Sequence, residues 1–353
     1  MRILQLAPPW FRVPPDSYGG IELMVSVLAD GLVQAGHDVT LVASGDSRTE
    51  ARLVSVFEEP PTEELGNSFI EAAQVLAGYL ERGRYDVIHN HCDVVGTALG
   101  AVIEAPPVVH SLHYGLTEDR VRLYRAVAPY SYLVAISHHQ VERMPADIPL
   151  AGVVYNGIPI ERYRFVKEKE DFLLFVGRAN REKGPEVAVE VARRLRKPLV
   201  MAIKINEPYE KVHWEKVVAP RLDDVDVTIL RHAGPEEIVD IMGRAKAVLL
   251  PLQWPEPFGL VMAEANACGT PVVAFARGAA REVISDGQSG FLVEPGDIDS
   301  FCAAVERADS LDPETCRDNV LRNFTDQRMI AGYLQIYADA AADRSRRTLN
   351  AMR

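Results

Sequence analysis

Cysteine is scarce in this chain of 353 residues. Only Cys92, Cys268, Cys302 and Cys316 occur, and no two of them make a C-x-x-C pair. That spacing excludes a disulfide framework and a zinc-ribbon fork, and it fits a reducing compartment. Long apolar runs are missing too: none approaches the roughly 18 residues that a membrane helix needs. Positive charge is in the minority, with Lys plus Arg at 38 against Asp plus Glu at 50, a net charge of −12. Nucleic acid, whose binding rests on neutralising phosphates, is therefore not an expected partner. The opening Met1-Arg2-Ile3-Leu4-Gln5-Leu6-Ala7 reaches Pro8-Pro9 too soon to read as a signal peptide. What remains is ordinary: apolar residues at 48% and charged residues at 25% match the average globular protein and exclude disorder. At about 150 residues per domain, the length gives two domains. The expectation is a soluble, acidic, cytoplasmic protein whose membrane contact is at most peripheral.

The chain alternates short apolar strands with amphipathic helices. Ile3, Leu4, Leu6 and Ala7 make a strand that ends at the proline-rich loop Pro8 to Pro15. After Gly19-Gly20, Ile21, Val25, Leu28 and Leu32 recur at helical spacing up to Ala35. Gly36 then supplies a C-cap before the strand Val39 to Ala43. Further strands read at 86–89, 108–113, 132–136 and 153–155, with a helix over 68–82. The segment Ile158 to Asp171 breaks the pattern: Pro159 and the run Lys167-Glu168-Lys169-Glu170-Asp171 read as an exposed linker. Alternation resumes with strands at 172–176, 199–203, 227–230, 247–250 and 272–275. This order predicts parallel sheets covered on both faces, hence an α/β chain of two Rossmann-like domains facing a cleft. The divisions fall at 1–158 and 159–324. A last helix over 325–342, carrying Ile330, Leu334, Ile336 and Tyr337, is expected to return to the first domain. Ligands of such sheets sit beyond the carboxyl ends of the strands.

Two stretches there carry chemistry. Pro255-Glu256-Pro257-Phe258-Gly259-Leu260-Val261-Met262-Ala263-Glu264 follows the strand ending at Leu250 and leads into a helix. Backbone N–H groups at Phe258, Gly259 and Leu260 would meet an anion at the helix start. Glu256 and Glu264, if both helical, stand about 12 Å apart along the axis. That is too far for two carboxylates to work across one glycosidic bond. It suits a long ligand held at both ends, with phosphate between; the plainer alternative is two surface glutamates. The second stretch is Gly177-Arg178-Ala179-Asn180-Arg181-Glu182-Lys183-Gly184, after the first strand of the second half. Arg178 offers a planar fork and Lys183 a point charge for one anion. Alone, it would be a solvated loop.

Gly177-Arg178 with Lys183-Gly184, followed by Glu256-Pro-Phe-Gly and Glu264, resembles the nucleotide-sugar half of the retaining glycosyltransferases of family four, which have the GT-B fold. Asn156-Gly157-Ile158 resembles that family's junction, and Asp286-Gly287-Gln288-Ser289-Gly290 its late loop. Gly19-Gly20-Ile21-Glu22 and His113 fall where the family has its glycine-rich loop and active-site histidine. The resemblance covers nearly the whole chain; Gly278-Ala279-Ala280 departs from it, where members often carry two adjacent glycines. It implies that Arg178 and Lys183 hold the donor diphosphate and Glu264 the ribose hydroxyls. Glu256, with the Phe258, Gly259 and Leu260 backbone, would hold the transferred sugar and phosphate. Gly20 would join the donor site, and His113 would lie near the reacting centre. It further implies transfer with retention and without a protein nucleophile; the acceptor, a small molecule, a glycan or a lipid-linked molecule, is not legible in the sequence.

Other features read as structural. His89-Asn90-His91 at a strand end lacks a third metal ligand, and Ser137 reads as the cap of a helix starting at His138-His139. Asp223-Asp224-Val225-Asp226 holds a D-x-D but precedes its strand, the wrong end for a donor site. No metal site is therefore expected. The Gly19-Gly20 loop is not G-x-G-x-x-G, so no dinucleotide cofactor is expected either; the only co-substrate is a nucleotide-diphosphate sugar, with UDP placed before GDP or ADP. Arg120, Arg122 and Arg125 give one modestly basic helix, which reads as a solvated face. Contacts that select the base would fall around Arg231-His232-Ala233-Gly234, and acceptor contacts in the loops 8–17 and 44–50. The reading is a metal-independent hexosyltransferase. The alternatives are a two-lobed nucleotide or sugar binding protein and a GT-B nucleotide-sugar epimerase.

Overall fold

Strands that are apolar on both sides can be buried only if helices cover both faces of their sheet. A computed structural model of the chain has two such sheets. It describes residues 1–16, 19–104, 106–231 and 233–351, with side chains described as far as residue 343.

The first unit comprises Met1–Gly157 with Asp326–Arg353. Its strands are β1 (Arg2–Leu6), β2 (Asp38–Val42), β3 (Arg52–Val54), β4 (Val87–Asn90), β5 (Val108–Leu112), β6 (Tyr132–Ala135) and β7 (Gly152–Val153). All pair in parallel in the order β3-β2-β1-β4-β5-β6-β7. The intervening helices are α1 (Gly20–Gln34), α2 (Ser68–Leu80), α3 (Val94–Gly100), α4 (Glu118–Val127) and α5 (His138–Arg143). Two elements escaped the sequence pattern. β3 spans three residues at a sheet edge, too few to show a period, and α3 is a seven-residue helix with two glycines. Gly100 is needed there, because a Cβ on it would come within 2.5 Å of the His110 ring.

The second unit is Ile158–Thr325. Its strands are β8 (Leu173–Arg178), β9 (Leu199–Lys204), β10 (Val227–Leu230), β11 (Ala247–Leu250), β12 (Val272–Phe275) and β13 (Gly290–Val293), again all parallel, in the order β10-β9-β8-β11-β12-β13. Around them lie α6 (Pro185–Leu195), α7 (Pro208–His213), α8 (Pro235–Arg244), α9 (Leu260–Ala267), α10 (Ala280–Val283), α11 (Ile298–Glu306) and α12 (Pro313–Asn323). The linker segment is anchored more firmly than its charge suggests. Lys169 lies partly buried and donates to the carbonyls of Gly243 and Cys268 and to the Thr270 hydroxyl, and burial pulls its pKa down to about 8.

The chain returns through α13 (Asp326–Ala351), which starts one residue later and runs further than the 325–342 read from the sequence. Thr325 itself is bridged to Ile158. Met329, Tyr333, Ile336, Tyr337 and Ala340 of α13 are buried in the core with Ile3, Val87, Val109 and Val134. Their spacing of four, three, one and three residues forms one helical stripe. Ile330 and Leu334, expected as core positions, are only partly buried at its edge. No helix among the described residues is long and apolar enough to cross a membrane. Because Tyr333 is fully buried, Tyr333→Ala should destabilise the protein by about 3–5 kcal/mol, the usual cost of emptying an aromatic core site. Urea unfolding followed by circular dichroism measures this, and a loss below about 1 kcal/mol would show that the stripe is not a core.

Candidate active site

In the second unit, β8 and β11 are neighbours, so the loops leaving their carboxyl ends run side by side. Arg178 is the last residue of β8, not a loop residue as the sequence suggested. The loop then turns through Asn180, whose side-chain oxygen accepts from the Lys183 backbone N–H at 3.1 Å. Gly184 adopts φ +67°, and a Cβ there would lie 2.4 Å from the Pro251 carbonyl oxygen. Only glycine allows that approach. The Gln253 N–H donates across to the Glu182 carbonyl at 2.7 Å, joining the two loops.

This joint brings Lys183 onto Glu256: their Nζ and Oε2 are 2.5 Å apart, both side chains about 11% exposed. Trp254 Nε1 donates to the same Oε2 at 2.8 Å, and Lys183 Nζ stands 5.6 Å from the centre of the Trp254 ring. A buried ion pair with a second donor is the arrangement in which a carboxylate is held in one place. The backbone of Glu256 is held as well. Its carbonyl accepts from Ala279 N–H at 2.9 Å, and a Cβ on Gly278 (φ +59°) would fall 2.3 Å from Glu256 N and O. The second glycine that the resemblance leads one to expect is therefore dispensable; the first is the one whose space is used.

Arg178 is held separately. Its guanidinium donates to Tyr209 Oη at 3.0 Å and lies 3.5 Å from both Glu182 Oε2 and the buried Glu210 Oε1. Glu210 is itself fixed by accepting from the backbone N–H groups of Asn206 and Glu207 at the start of α7.

Helix α9 begins at Leu260, behind Gly259 in a left-handed conformation. Glu256 thus lies outside the helix, and the 12 Å separation read from an all-helical segment does not apply. The first N–H groups of α9 have no partner within the helix. The Phe258 side chain is buried edge-on against Phe324. Glu264 is on α9 and buried; its Oε1 accepts from Tyr163 Oη at 3.2 Å. Burial, against the opposing effect of that bond, raises its pKa to about 7.

In the first unit, His113 follows β5 and is buried, with burial pulling its pKa down to about 3. Its Nε2 lies 3.0 Å from His91 Nδ1. His89 and His91 do share one side of β4, with ring centroids 3.9 Å apart, and their ring nitrogens are engaged by Tyr337, Ser111, Gln5 and His113. Gly20 opens α1, behind the extended Gly19. Ser137 caps α5 by accepting from Gln140 N–H. Asp223, Asp224 and Asp226 are exposed before β10, at the opposite edge of its parallel sheet from Arg178. Each arginine of α4 is paired: Arg120 with Asp93, Arg122 with Glu118 and Asp119, Arg125 with Asp147. Arg231 stacks on Trp214, and Gly234 caps α8; His232 lies outside the described residues, as does Ser17 of the 8–17 loop. Sequence reasoning missed Trp254, Tyr209, Glu210 and Tyr163, which hold the candidate residues. Only Glu210 had a local signal, the Glu207-Pro208 helix start three residues before it.

Two family models match the chain almost end to end: Glycosyltransferase Family 4 over residues 18–162 and Glycosyl transferases group 1 over residues 159–319. The chain belongs to the group 1, family 4 glycosyltransferases. A glycogen synthase from Mycobacterium tuberculosis is 27% identical over 398 residues, spanning 96% of this chain and 95% of that one. Among solved structures, a sucrose-phosphate synthase from Thermosynechococcus elongatus superposes with a TM-score of 0.78 at 20% identity, over 97% of this glycosyltransferase and all of the other chain. Anabaena HepE, solved in complex with UDP and glucose, gives a TM-score of 0.73 at 17% identity, over 96% and 99%. The fold of this glycosyltransferase is accordingly GT-B, with two Rossmann-like domains.

The raised pKa of Glu264 has a consequence for stability. Between its ordinary 4.5 and about 7, the folded glycosyltransferase keeps a proton that the unfolded chain releases. The benefit is fully present below 4.5 and is lost as pH rises through 7. Glu264→Gln stays neutral throughout. From pH 5 to pH 8, wild type should therefore lose on the order of 3 kcal/mol relative to the variant. Urea unfolding at both pH values tests this, and identical pH dependence for the two proteins would refute it.

Proposed function

We propose that this glycosyltransferase moves a hexose from a nucleotide-diphosphate sugar to an acceptor hydroxyl, with retention of anomeric configuration and without a divalent metal. The observation that carries the reading is the joint of two loops in the second unit, where Lys183, Glu256, Arg178 and the start of α9 share one strand edge. The diphosphate is bound by Arg178 and Lys183, and its ribose by Glu264. Glu256 and the Phe258–Leu260 backbone take the transferred sugar and the phosphate nearest it. Gly20 contributes to the donor site, and His113 stands near the reacting centre. UDP is the favoured nucleotide; the Anabaena neighbour solved with UDP and glucose supports it. The protein works in the cytoplasm, and its acceptor is a small molecule, a glycan or a lipid-linked molecule.

In the mechanism, charge grows on the departing diphosphate and must meet positive charge already in place. Before the donor arrives, Lys183 is paired with Glu256, and Arg178 with Glu210 and Glu182. Both cations are thus held near their working positions at little further cost in side-chain freedom. Glu256 carries an ammonium and an indole N–H on one oxygen, which blunts it as a nucleophile and favours a holding role. As the bond between the anomeric carbon and the diphosphate breaks, the acceptor hydroxyl attacks from the face that the leaving group vacates and passes its proton to the departing phosphate oxygen.

Two experiments test this. A panel of nucleotide sugars, scored for slow hydrolysis without acceptor, should show turnover of one donor and release of its nucleoside diphosphate. That turnover should survive exhaustive EDTA treatment. Activity lost on chelation and restored by Mg²⁺ or Mn²⁺ would overturn the metal-free reading, and the anomer formed, read by NMR, decides retention.

Substitutions separate the roles. Losing a charged hydrogen bond is worth about 1.5 to 3 kcal/mol, or roughly ten- to a hundredfold. Glu264→Ala should raise KM for the donor by that factor, whereas Glu256→Ala should mainly lower kcat. Arg178→Ala should cost around 10²-fold in kcat/KM. Unchanged nucleotide affinity in Glu264→Ala, measured by calorimetry, would remove that residue from the ribose.

A further inference from the structure

Seven polar side chains of the first unit form one continuous hydrogen-bonded chain in its core. His113 Nε2 meets His91 Nδ1 at 3.0 Å, and His91 Nε2 meets Gln5 Oε1 at 2.6 Å. Gln5 Nε2 donates to Tyr337 Oη at 3.0 Å, which lies 2.6 Å from His89 Nδ1. His89 Nε2 is 2.8 Å from Ser111 Oγ, and Ser111 Oγ is 2.5 Å from Tyr333 Oη. Three neighbouring strands, β1, β4 and β5, and helix α13 supply these groups. Gln5, His89, His91, Tyr333 and Tyr337 are fully buried, and Ser111 and His113 are 5% and 8% exposed.

We propose that this chain fixes the tautomer of His113, with the proton on Nε2 and a bare lone pair on Nδ1, so that a ligand hydroxyl meets an acceptor there. An amide oxygen can only accept, so the contact with Gln5 Oε1 puts the proton of His91 on Nε2. His91 is fully buried among other histidines and stays neutral. Its Nδ1 must therefore accept, and the donor is His113 Nε2–H. Neutral His113 then has no proton for Nδ1, which has no hydrogen-bond partner among the described residues. With the Gln5 amide nitrogen on Tyr337 Oη, the tyrosine proton goes to His89 Nδ1 and His89 Nε2–H goes on to Ser111, so the whole chain shares one direction; the opposite direction, with the amide turned over, would put the His113 proton on Nδ1. Gln5, His91 and Tyr337 are thus positioning residues, acting on the ligand only through His113. The functional consequence rests on the reading that His113 stands near the reacting centre; the tautomer does not.

Uniform ¹⁵N-histidine labelling of the full chain, with ring ¹⁵N–¹H correlation spectra at neutral pH, reads the tautomer without any substitution. The expected result is a protonated Nε2 and an unprotonated Nδ1 for His113, assigned by its disappearance in His113→Ala. Protonation on Nδ1 would overturn the proposal. Tyr337→Phe keeps the ring and removes the hydroxyl. It should populate both tautomers of His113 and lower kcat by about tenfold, the lower end of what outer partners of a functional histidine are worth, while KM for the nucleotide stays the same. A single Nε2–H tautomer with wild-type kcat in Tyr337→Phe would show that the relay does not set the tautomer. Wild-type turnover in His113→Ala would instead sink the reading of His113 at the reacting centre, leaving the ring spectra to decide the tautomer alone.

Discussion

Strand direction is the constraint from which the rest follows. When every strand of a sheet is parallel, all carboxyl ends lie along one edge, and each connection must cross back over a face before the next strand begins. Helices therefore cover both faces, the strands become apolar throughout, and side chains that need freedom to bind are confined to one edge. In the second unit that edge carries Arg178 at the end of β8, with Lys183 and Glu256 in the two neighbouring loops. In the first it carries His91 and His113, which follow adjacent strands. The acidic turn 223–226 lies at the other edge for the same reason.

The second rule is that buried polar groups must be partnered. It accounts for side chains that at first look redundant. Trp254 and Lys183 share one oxygen of Glu256, Tyr163 serves Glu264, and Tyr209 with Glu210 serves Arg178. The histidine-rich first unit follows the same rule over a longer path, ending in two tyrosines of α13. A half-satisfied network in such a core would be costly, so its members are held as a set. That helix belongs to the first unit partly because it supplies the partners its strands lack.

Family membership and the pattern of held residues address different questions. Membership in the group 1, family 4 glycosyltransferases comes from residues 18–319 taken together, while the grip on each side chain comes from its own neighbours. Glycogen synthase and sucrose-phosphate synthase stand among its relatives and neighbours. One scaffold thus serves proteins named for different products, as expected where function is grafted onto a shared fold.

Much was legible from the sequence alone, because hydrophobic period and motif spacing are local. The strands at 227–230, 247–250 and 272–275 lie where their apolar runs put them. The Arg178-to-Gly184 and Glu256-to-Glu264 stretches stand at strand ends, as their order implied. What period and spacing cannot express is contact between distant residues. No local signal joins Lys183 to Glu256, 73 positions on, or Gln5 to Tyr337, 332 positions on. Of the α13 residues read as its core face, Ile336 and Tyr337 are buried, whereas Ile330 and Leu334 lie at the edge beside the buried Met329 and Tyr333, because packing decides where the stripe is centred. The 12 Å spacing of Glu256 and Glu264 holds only if both are helical; the left-handed Gly259 stands just before the start of α9, which leaves Glu256 outside it. Local chemistry determined the elements and their order. The partner of each buried charge and the direction of each buried proton were decided by the tertiary structure, because both depend on which strand ends become neighbours.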